Sequence, residues 1–144
     1  MTGYQTGDQP DGGPVTVGVR FSTAQAGSVT AVKLYIGPGN TGPWTVDIWS
    51  ASGQRLGGGS AMGSASWETV LLDESVPIEP GAEYRASYRG AAGRYAVTGA
   101  GLSGARTAGP LSTPANGGVF TYPVGAPTRT TGTDFGVDVV VVVP

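Results

Sequence analysis

The 144-residue sequence contains no cysteine and no histidine. Without cysteine, neither a disulfide framework nor a thiolate metal site can form. Without histidine, a catalytic site would have to be built from carboxylates, hydroxyl groups and arginine. The sequence also has no G-x-S-x-G or S-x-x-K motif to place a serine nucleophile. These absences predict a protein that is not an enzyme.

Acidic residues are few, and they are spread along the chain. Glycoside hydrolysis needs two carboxyl groups held about 5–10 Å apart, and the acidic residues in strand-like runs belong to no recognisable motif: Asp47, Glu68, Glu83 and Asp138. Calcium takes six to eight oxygen ligands from clustered carboxylates and carbonyls. We therefore expect no cofactor, with a structural calcium ion held mainly by backbone carbonyls as the open alternative.

Charge is scarce as well, since only 12% of the residues are charged and the net charge is −2. This balance offers no broad attraction for nucleic acid or for an anionic membrane surface. The longest apolar run, the five valines of residues 139–143, is far shorter than the roughly 20 residues of a membrane span. We expect no nucleic acid partner, no membrane partner, and a soluble chain without a leader sequence.

What the sequence has in quantity is glycine (26 residues) and proline (11 residues), together with many valines and threonines. This composition favours turns and strands, and no window shows a sustained apolar period of 3.6. The length suits one domain. The expected fold is a single antiparallel β-sandwich, jelly-roll-like, of about 8–10 strands over residues 14–144, preceded by a flexible N-terminal arm at residues 1–13.

Residues 81–101 form the most regular stretch. Two strands, residues 83–89 and 94–98, are expected to pair as a hairpin around a loop of small residues. Because side chains alternate along a strand, the first strand has an aromatic face and an arginine-rich face: Tyr84, Ala86 and Tyr88 against Arg85, Ser87 and Arg89. The arginine face is either a solvated sheet surface or a local site for carboxylate or phosphate, which planar guanidinium groups suit.

The C-terminal strand, residues 134–143, is apolar on both faces from Val139 onward. One face belongs to the core, whereas Val140 and Val142 on the other face need a cover. We expect a homo-oligomer or a docked subunit that buries these two valines. In the competing interpretation, this strand lies centrally in its sheet and the chain's own loops cover the second face.

Several ordered motifs carry a family resemblance: VGVRFSTAQAGSVTAVKLYIGPGNTG, YRASYRGAAGRYAVTG, PLSTPANGGVFTY and DFGVDVVV. Over residues 17–140 the chain resembles a bacterial β-sandwich family known as domain of unknown function 4082. The resemblance implies a non-catalytic module of the kind appended to secreted glycoside hydrolases and to strings of immunoglobulin-like repeats. It brings no catalytic residues with it.

Carbohydrate is the small-molecule ligand that the residue types suit best, because sugars present C–H faces to aromatic rings and hydroxyl groups to polar side chains. The candidates for such a glycan platform are Tyr35, Trp49, Tyr88 and Tyr95, with Arg85 and Arg89. Each aromatic residue also has a plain packing interpretation, since the period-two spacing is what a sandwich core requires.

Two functions follow as hypotheses. The chain begins at Met1 without the secretion signal expected of a secreted module, and proteins of a phage particle need none because they assemble in the host cytoplasm and leave by lysis. The first hypothesis is therefore a phage virion component, a head decoration or tail accessory protein that contacts other virion proteins. The alternative is a carbohydrate-binding accessory module of a secreted or cell-surface protein, with an extracellular location.

Overall fold

The computed structural model describes residues 5–8, 15–36, 44–61, 66–90, 94–97, 104–122 and 125–143. In these ranges the chain forms strands and turns, with no helix, and so no helix with the length and apolarity needed to cross a membrane. The first seven strands are β1 (Gln5–Asp8), β2 (Val15–Thr23), β3 (Gly27–Ile36), β4 (Trp44–Ser50), β5 (Arg55–Ala61), β6 (Ser66–Ile78) and β7 (Glu83–Gly90). The others are β8 (Arg94–Val97), β9 (Arg106–Ala108), β10 (Leu111–Thr113), β11 (Gly118–Thr121), β12 (Arg129–Thr131) and β13 (Val137–Val142).

Two antiparallel sheets pack against each other. The large sheet has the order β12-β11-β2-β7-β4-β5, with β10 also paired to β2 and β9 paired to β10. The small sheet has the order β13-β3-β6. The predicted all-β sandwich is confirmed. The described residues contain more strands than expected, since several of them, such as β9, β10 and β12, are only three residues long.

The core lies between the two sheets and follows from period-two alternation. In β2, Val15, Val17, Val19 and Phe21 are buried, and in β7, Tyr84, Ala86 and Tyr88 are buried. The small sheet contributes its own inward residues to the same cluster, among them Val29, Val32, Leu34, Val70, Leu72, Val137 and Val139. In β4, one tryptophan is in the core and the other is half-buried: Trp44 is 1% exposed, whereas Trp49 lies on the opposite face.

The predicted hairpin of residues 83–98 is wrong, although both of its strands exist. The strand β7 pairs with β2 on one edge and with β4 on the other, so neither edge is free for β8. Instead β8 pairs with β1, which lies within the segment predicted as an arm. The other residues of segment 1–13 lie outside the described ranges.

Among the described strands, the C-terminal strand β13 lies at the edge of the small sheet, where it pairs with β3. The competing interpretation of a central strand is therefore wrong. Its predicted core face is confirmed for Phe135, Val137 and Val139, which are 6–8% exposed. Val143 differs, because the pairing with β3 ends at Val142 and leaves Val143 41% exposed.

At the opposite edge of the small sheet, three glycines of β5 allow the backbone of this strand to pack closely against its neighbours. Gly57, Gly58 and Gly59 of β5 pass close to β6 or β4, and a Cβ atom added to Gly59 would stand 2.6 Å from the carbonyl oxygen of Leu71. Only a residue without a side chain permits this approach. The β5 backbone thus covers β6, and the sandwich is closed on this side.

Candidate functional site

The outer face of the large sheet, the face away from the core, carries the predicted arginines. Arg20 of β2 stands directly opposite Arg85 of β7. The Nη2 group of Arg20 donates to the carbonyl oxygens of Ala115 at 3.1 Å and of Asn116 at 3.0 Å. The backbone N–H of Arg20 donates to the carbonyl of Gly117 at 2.7 Å. Arg20 therefore holds the turn between β10 and β11 against the sheet.

Arg85 holds a second loop in the same way. Its Nη1 group donates to the carbonyl oxygen of Pro127, which is fully buried. The neighbouring Ala126 reaches the turn between β4 and β5, where a Cβ atom on Gly53 would stand 3.6 Å from the Ala126 Cβ atom. Residues 125–128 thus extend across the outer face of the large sheet.

Arg89, at the other end of β7, also donates hydrogen bonds across the outer face. Its Nη1 group donates to the Thr16 Oγ1 atom at 2.9 Å, and its Nη2 group donates to the carbonyl oxygen of Tyr122 at 2.8 Å. Three guanidinium groups on one face therefore bind backbone carbonyls of the segment 115–127. Since hydrogen bonds from charged donors are the stronger ones, we interpret the arginine face as a clamp on the chain's own loops.

Glu83 compensates part of this positive charge. Its Oε2 atom lies 3.6 Å from Arg20 Nη1, and its Oε1 atom lies 3.7 Å from Arg85 Nη2. Two arginines that face each other on neighbouring strands repel, and the carboxylate between them relieves that repulsion. Glu83 is 34% exposed, so that it also faces solvent.

A second charged pair lies on the same face at β4 and β5. The Nε group of Arg55 donates to the Asp47 Oδ1 atom at 2.6 Å. Asp47 is only 18% exposed, and this burial raises the pKa of its carboxyl group above 3.8, although the hydrogen bond and the charge of Arg55 act in the opposite direction. Because Arg55 itself is 56% exposed, solvent weakens its compensation.

The structure does not assemble the predicted glycan platform. Tyr88 is 1% exposed and packs in the core, on the face opposite to Arg85 and Arg89, so its predicted role as an exposed ring is wrong. The reason is the alternation of β7, in which Tyr88 stands between the buried Val17 and Val46.

The other three aromatic residues of that prediction lie apart. Tyr35 is on the small sheet, opposite Trp67 of β6, and the side chain of Tyr95 lies outside the described part of the chain. Tyr35 and Trp49 are both half-buried, but only Trp49 of these two lies beside Arg85. Its indole N–H is already used, because Nε1 donates to Ser87 Oγ at 2.8 Å.

The outer face of the small sheet differs from that of the large sheet because it presents exposed apolar side chains. We call it the open face. One row across its three strands consists of Val140, Ala31 and Leu71, which stand directly opposite one another. Leu71 is 73% exposed and Val140 is half-buried. Val142, near the end of the same edge strand, is 57% exposed. Both valines of the predicted interface are therefore accessible to a partner.

A charged row lies next to this apolar row. Lys33 of β3 stands opposite Asp138 of β13 on one side and opposite Thr69 of β6 on the other. The Oδ1 atom of Asp138 accepts a hydrogen bond from the backbone N–H of Val139 at 2.8 Å. This bond occupies a donor of the edge strand, and such occupied donors discourage the addition of a further strand. A partner is therefore expected to meet side chains of the open face.

Leu71 is the residue of the open face that the sequence interpretation missed. Two consecutive leucines, Leu71 and Leu72, lie in one strand, and side chains of consecutive strand residues point to opposite faces. Leu72 is 9% exposed and takes the core position. Two consecutive leucines in one strand therefore indicate that one of the two side chains faces outward.

Among the described residues, no three acidic side chains come together as a candidate metal site.

The model of a protein family described as "Domain of unknown function (DUF4082)" matches residues 2–137 of the chain. No curated protein matches the sequence.

Proposed function

The chain belongs to the DUF4082 family, and we propose that it is a non-catalytic structural or adhesive subunit that docks through its open face. The observation that supports this proposal is the contrast between the two outer faces. Arginine-bound loops cover much of the large sheet, whereas the small sheet presents a leucine that is 73% exposed. Exposed apolar patches on a folded domain commonly mark contact surfaces.

The exposed apolar side chains are concentrated at the small sheet. Five large hydrophobic residues are more than about one-third exposed in the described ranges: Leu56, Leu71, Tyr122, Val142 and Val143. Three of these five, Leu71, Val142 and Val143, lie on the small sheet or directly after its edge strand. This distribution favours the open face over the rest of the surface as the docking site.

The occupant that we propose for the open face is a second copy of the chain. A two-fold axis parallel to the strands, between β3 and β13, would place Lys33 of one copy over Asp138 of the other and Val140 over Ala31, with Leu71 at the margin of the contact. Isologous contacts of this kind are the commonest in homo-oligomers. Two overlapping strands about 4.8 Å apart and about 20 Å long offer roughly 200 Å² per copy, which is well below the roughly 800 Å² of a standard interface. Weak self-association is the expected result.

A weak and self-complementary contact suits a repetitive particle, since neighbouring sites on a lattice raise the effective concentration of each subunit. We therefore propose a phage virion as the setting, with the chain as a head decoration or tail accessory subunit that assembles in the host cytoplasm. The genes on either side of the coding sequence test this setting. Capsid or tail genes would support it, whereas an adjacent hydrolase gene would contradict it and favour a secreted module.

Docking itself is tested by sedimentation equilibrium. The wild-type protein should self-associate reversibly, and a Leu71→Thr/Val140→Thr variant should remain a monomer, because the double change removes the apolar row and keeps the strand propensity of both positions. Unchanged self-association of the folded variant would contradict docking through this face.

A further inference from the structure

A cavity of about 270 Å³ lies at the far end of the large sheet, where β10 pairs with β2 and β9 pairs with β10. The ring of Phe21, which is 2% exposed, contributes to its wall. Ala105 and Pro114 add further apolar wall, and the polar part consists of hydroxyl groups, one carboxylate and one guanidinium group. The cavity lies far from the open face in the topology, because β2, β9 and β10 belong to the other sheet.

The register of four neighbouring strands brings the polar side chains into one row. Glu83 of β7 stands opposite Ser22 of β2, Ser22 stands opposite Ser112 of β10, and Ser112 stands opposite Thr107 of β9. Side chains of directly opposed residues share a face of the sheet. Because neighbouring strands are about 4.8 Å apart, the row is about 14 Å long. All four side chains line the cavity.

Glu83 is the strongest hydrogen-bond acceptor of this row. The guanidinium groups of Arg20 and Arg85 lie 3.6 and 3.7 Å from its two oxygens and hold the carboxylate in position. Those separations are too long for hydrogen bonds, and among the described residues no hydrogen bond to this carboxylate occurs. Its lone pairs are therefore available to hydroxyl donors of a ligand.

Charge selects the class of ligand. An anion in the cavity would face the Glu83 carboxylate, and a cation would face Arg106 together with Arg20 and Arg85 behind Glu83. A neutral molecule with several hydroxyl groups satisfies this lining, since it donates to Glu83 and accepts from the hydroxyl groups of the row, with Arg106 as a further donor at the cavity wall.

We propose that this row is a binding site for a neutral oligosaccharide, which lies in the open cavity along the row from Glu83 of β7 to Thr107 of β9. A row of about 14 Å accommodates two to three sugar units at the spacing of the strands. The site differs from the aromatic platform predicted from the sequence, and it gives the carbohydrate-binding alternative a different location. Its existence does not depend on docking through the open face.

The Thr107 and Ser112 hydroxyl groups are the positions for a test, because their only described side-chain contact is a 3.5 Å approach to each other. Removing either one should leave the fold intact. The matched control is Thr45→Ala, an exposed hydroxyl on β4 of the same sheet. The probes are neutral trisaccharides (cellotriose, maltotriose, laminaritriose and chitotriose) and trigalacturonic acid as a charged counterpart, titrated into isotope-labelled protein and followed by the amide resonances of residues 22, 83, 107 and 112.

At least one neutral trisaccharide should shift these resonances saturably, and Ser112→Ala and Thr107→Ala should each weaken its binding roughly three- to tenfold, the usual effect of losing one hydrogen bond. Thr45→Ala should bind as the wild type does. The proposal is overturned if none of the neutral trisaccharides binds, if the shifts map elsewhere, if both variants bind as tightly as the wild type, or if trigalacturonic acid alone binds. Melting temperatures of the variants equal to that of the wild type show that a loss of binding is local.

Discussion

Trp49 and Ser87 join two neighbouring strands on the outer face of the large sheet, since the indole Nε1 group donates to Ser87 Oγ at 2.8 Å. Ser87 is fully buried, whereas Trp49 is half-buried. The bond explains why a large aromatic side chain can lie on the polar side of the sheet. Its ring covers the serine, and its one donor is satisfied there.

Ser87→Ala should lower the free energy of unfolding by about 1 kcal/mol, because the indole N–H loses its acceptor in a partly desolvated position. Urea denaturation measures this difference. The control is Ser60→Ala, an exposed serine on β5, which should change stability by less than about 0.5 kcal/mol. Equal stability of Ser87→Ala and the wild type would show that the indole N–H finds water instead.

The loop clamp of Arg20 predicts a local effect on dynamics. Arg20→Lys keeps the charge but loses the fork of donors that spans the carbonyls of Ala115 and Asn116. We expect faster amide hydrogen exchange at residues 115–118 and a loss of about 1–3 kcal/mol in stability. Arg55→Lys is the matched control, because Arg55 is 56% exposed and binds only the Asp47 side chain among the contacts described. Equal exchange in both variants would contradict the clamp.

The stability of the folded protein should depend on pH through the carboxyl group of Asp47. Its folded pKa is raised above 3.8 by burial, so the folded protein holds this proton more tightly than the unfolded chain. The resulting stabilisation is fully present below pH 3.8 and is lost as the pH rises through the raised folded pKa. Asp47→Asn imitates the protonated form at every pH. Relative to the wild type, the variant should therefore gain stability between acidic and neutral pH.

Thermal denaturation of the wild type and of Asp47→Asn at several pH values measures this effect. The difference in melting temperature, variant minus wild type, should move upward with rising pH. A difference that moves downward would mean that the Arg55 pair outweighs the burial of Asp47, and the folded pKa would then be depressed.

Alternation along single strands made the faces of the sandwich predictable. The core residues of β7 are those that the period-two pattern indicated, and the arginines of β7 lie on the opposite face, where Ser87 is also buried. The partners of each strand were not predictable in the same way. The pattern of β8 is compatible with pairing to β7 or to β1, and the choice depends on β2 and β4 occupying both edges of β7.

The candidate sites show the same limit. Val140 and Val142 were identified because an apolar residue on a polar face is visible in the strand itself. The row of Glu83, Ser22, Ser112 and Thr107 comes from four strands of different sequence position. Sequence spacing does not predict this row, because the row depends on the register between strands that are distant in sequence.

Docking of two copies through the open face is tested most directly by sedimentation equilibrium of the isolated protein and of three variants of matched chemistry. Wild-type protein should associate reversibly and weakly, with a dissociation constant on the order of 0.1 to 1 mM for so small an apolar face. Leu71→Thr and Val142→Thr should each shift it toward monomer, whereas Leu56→Thr, a 37% exposed leucine on β5, should leave the association unchanged. A wild type that stays monomeric over this range, or a Leu56→Thr effect equal to that of Leu71→Thr, would contradict docking of two copies through the open face.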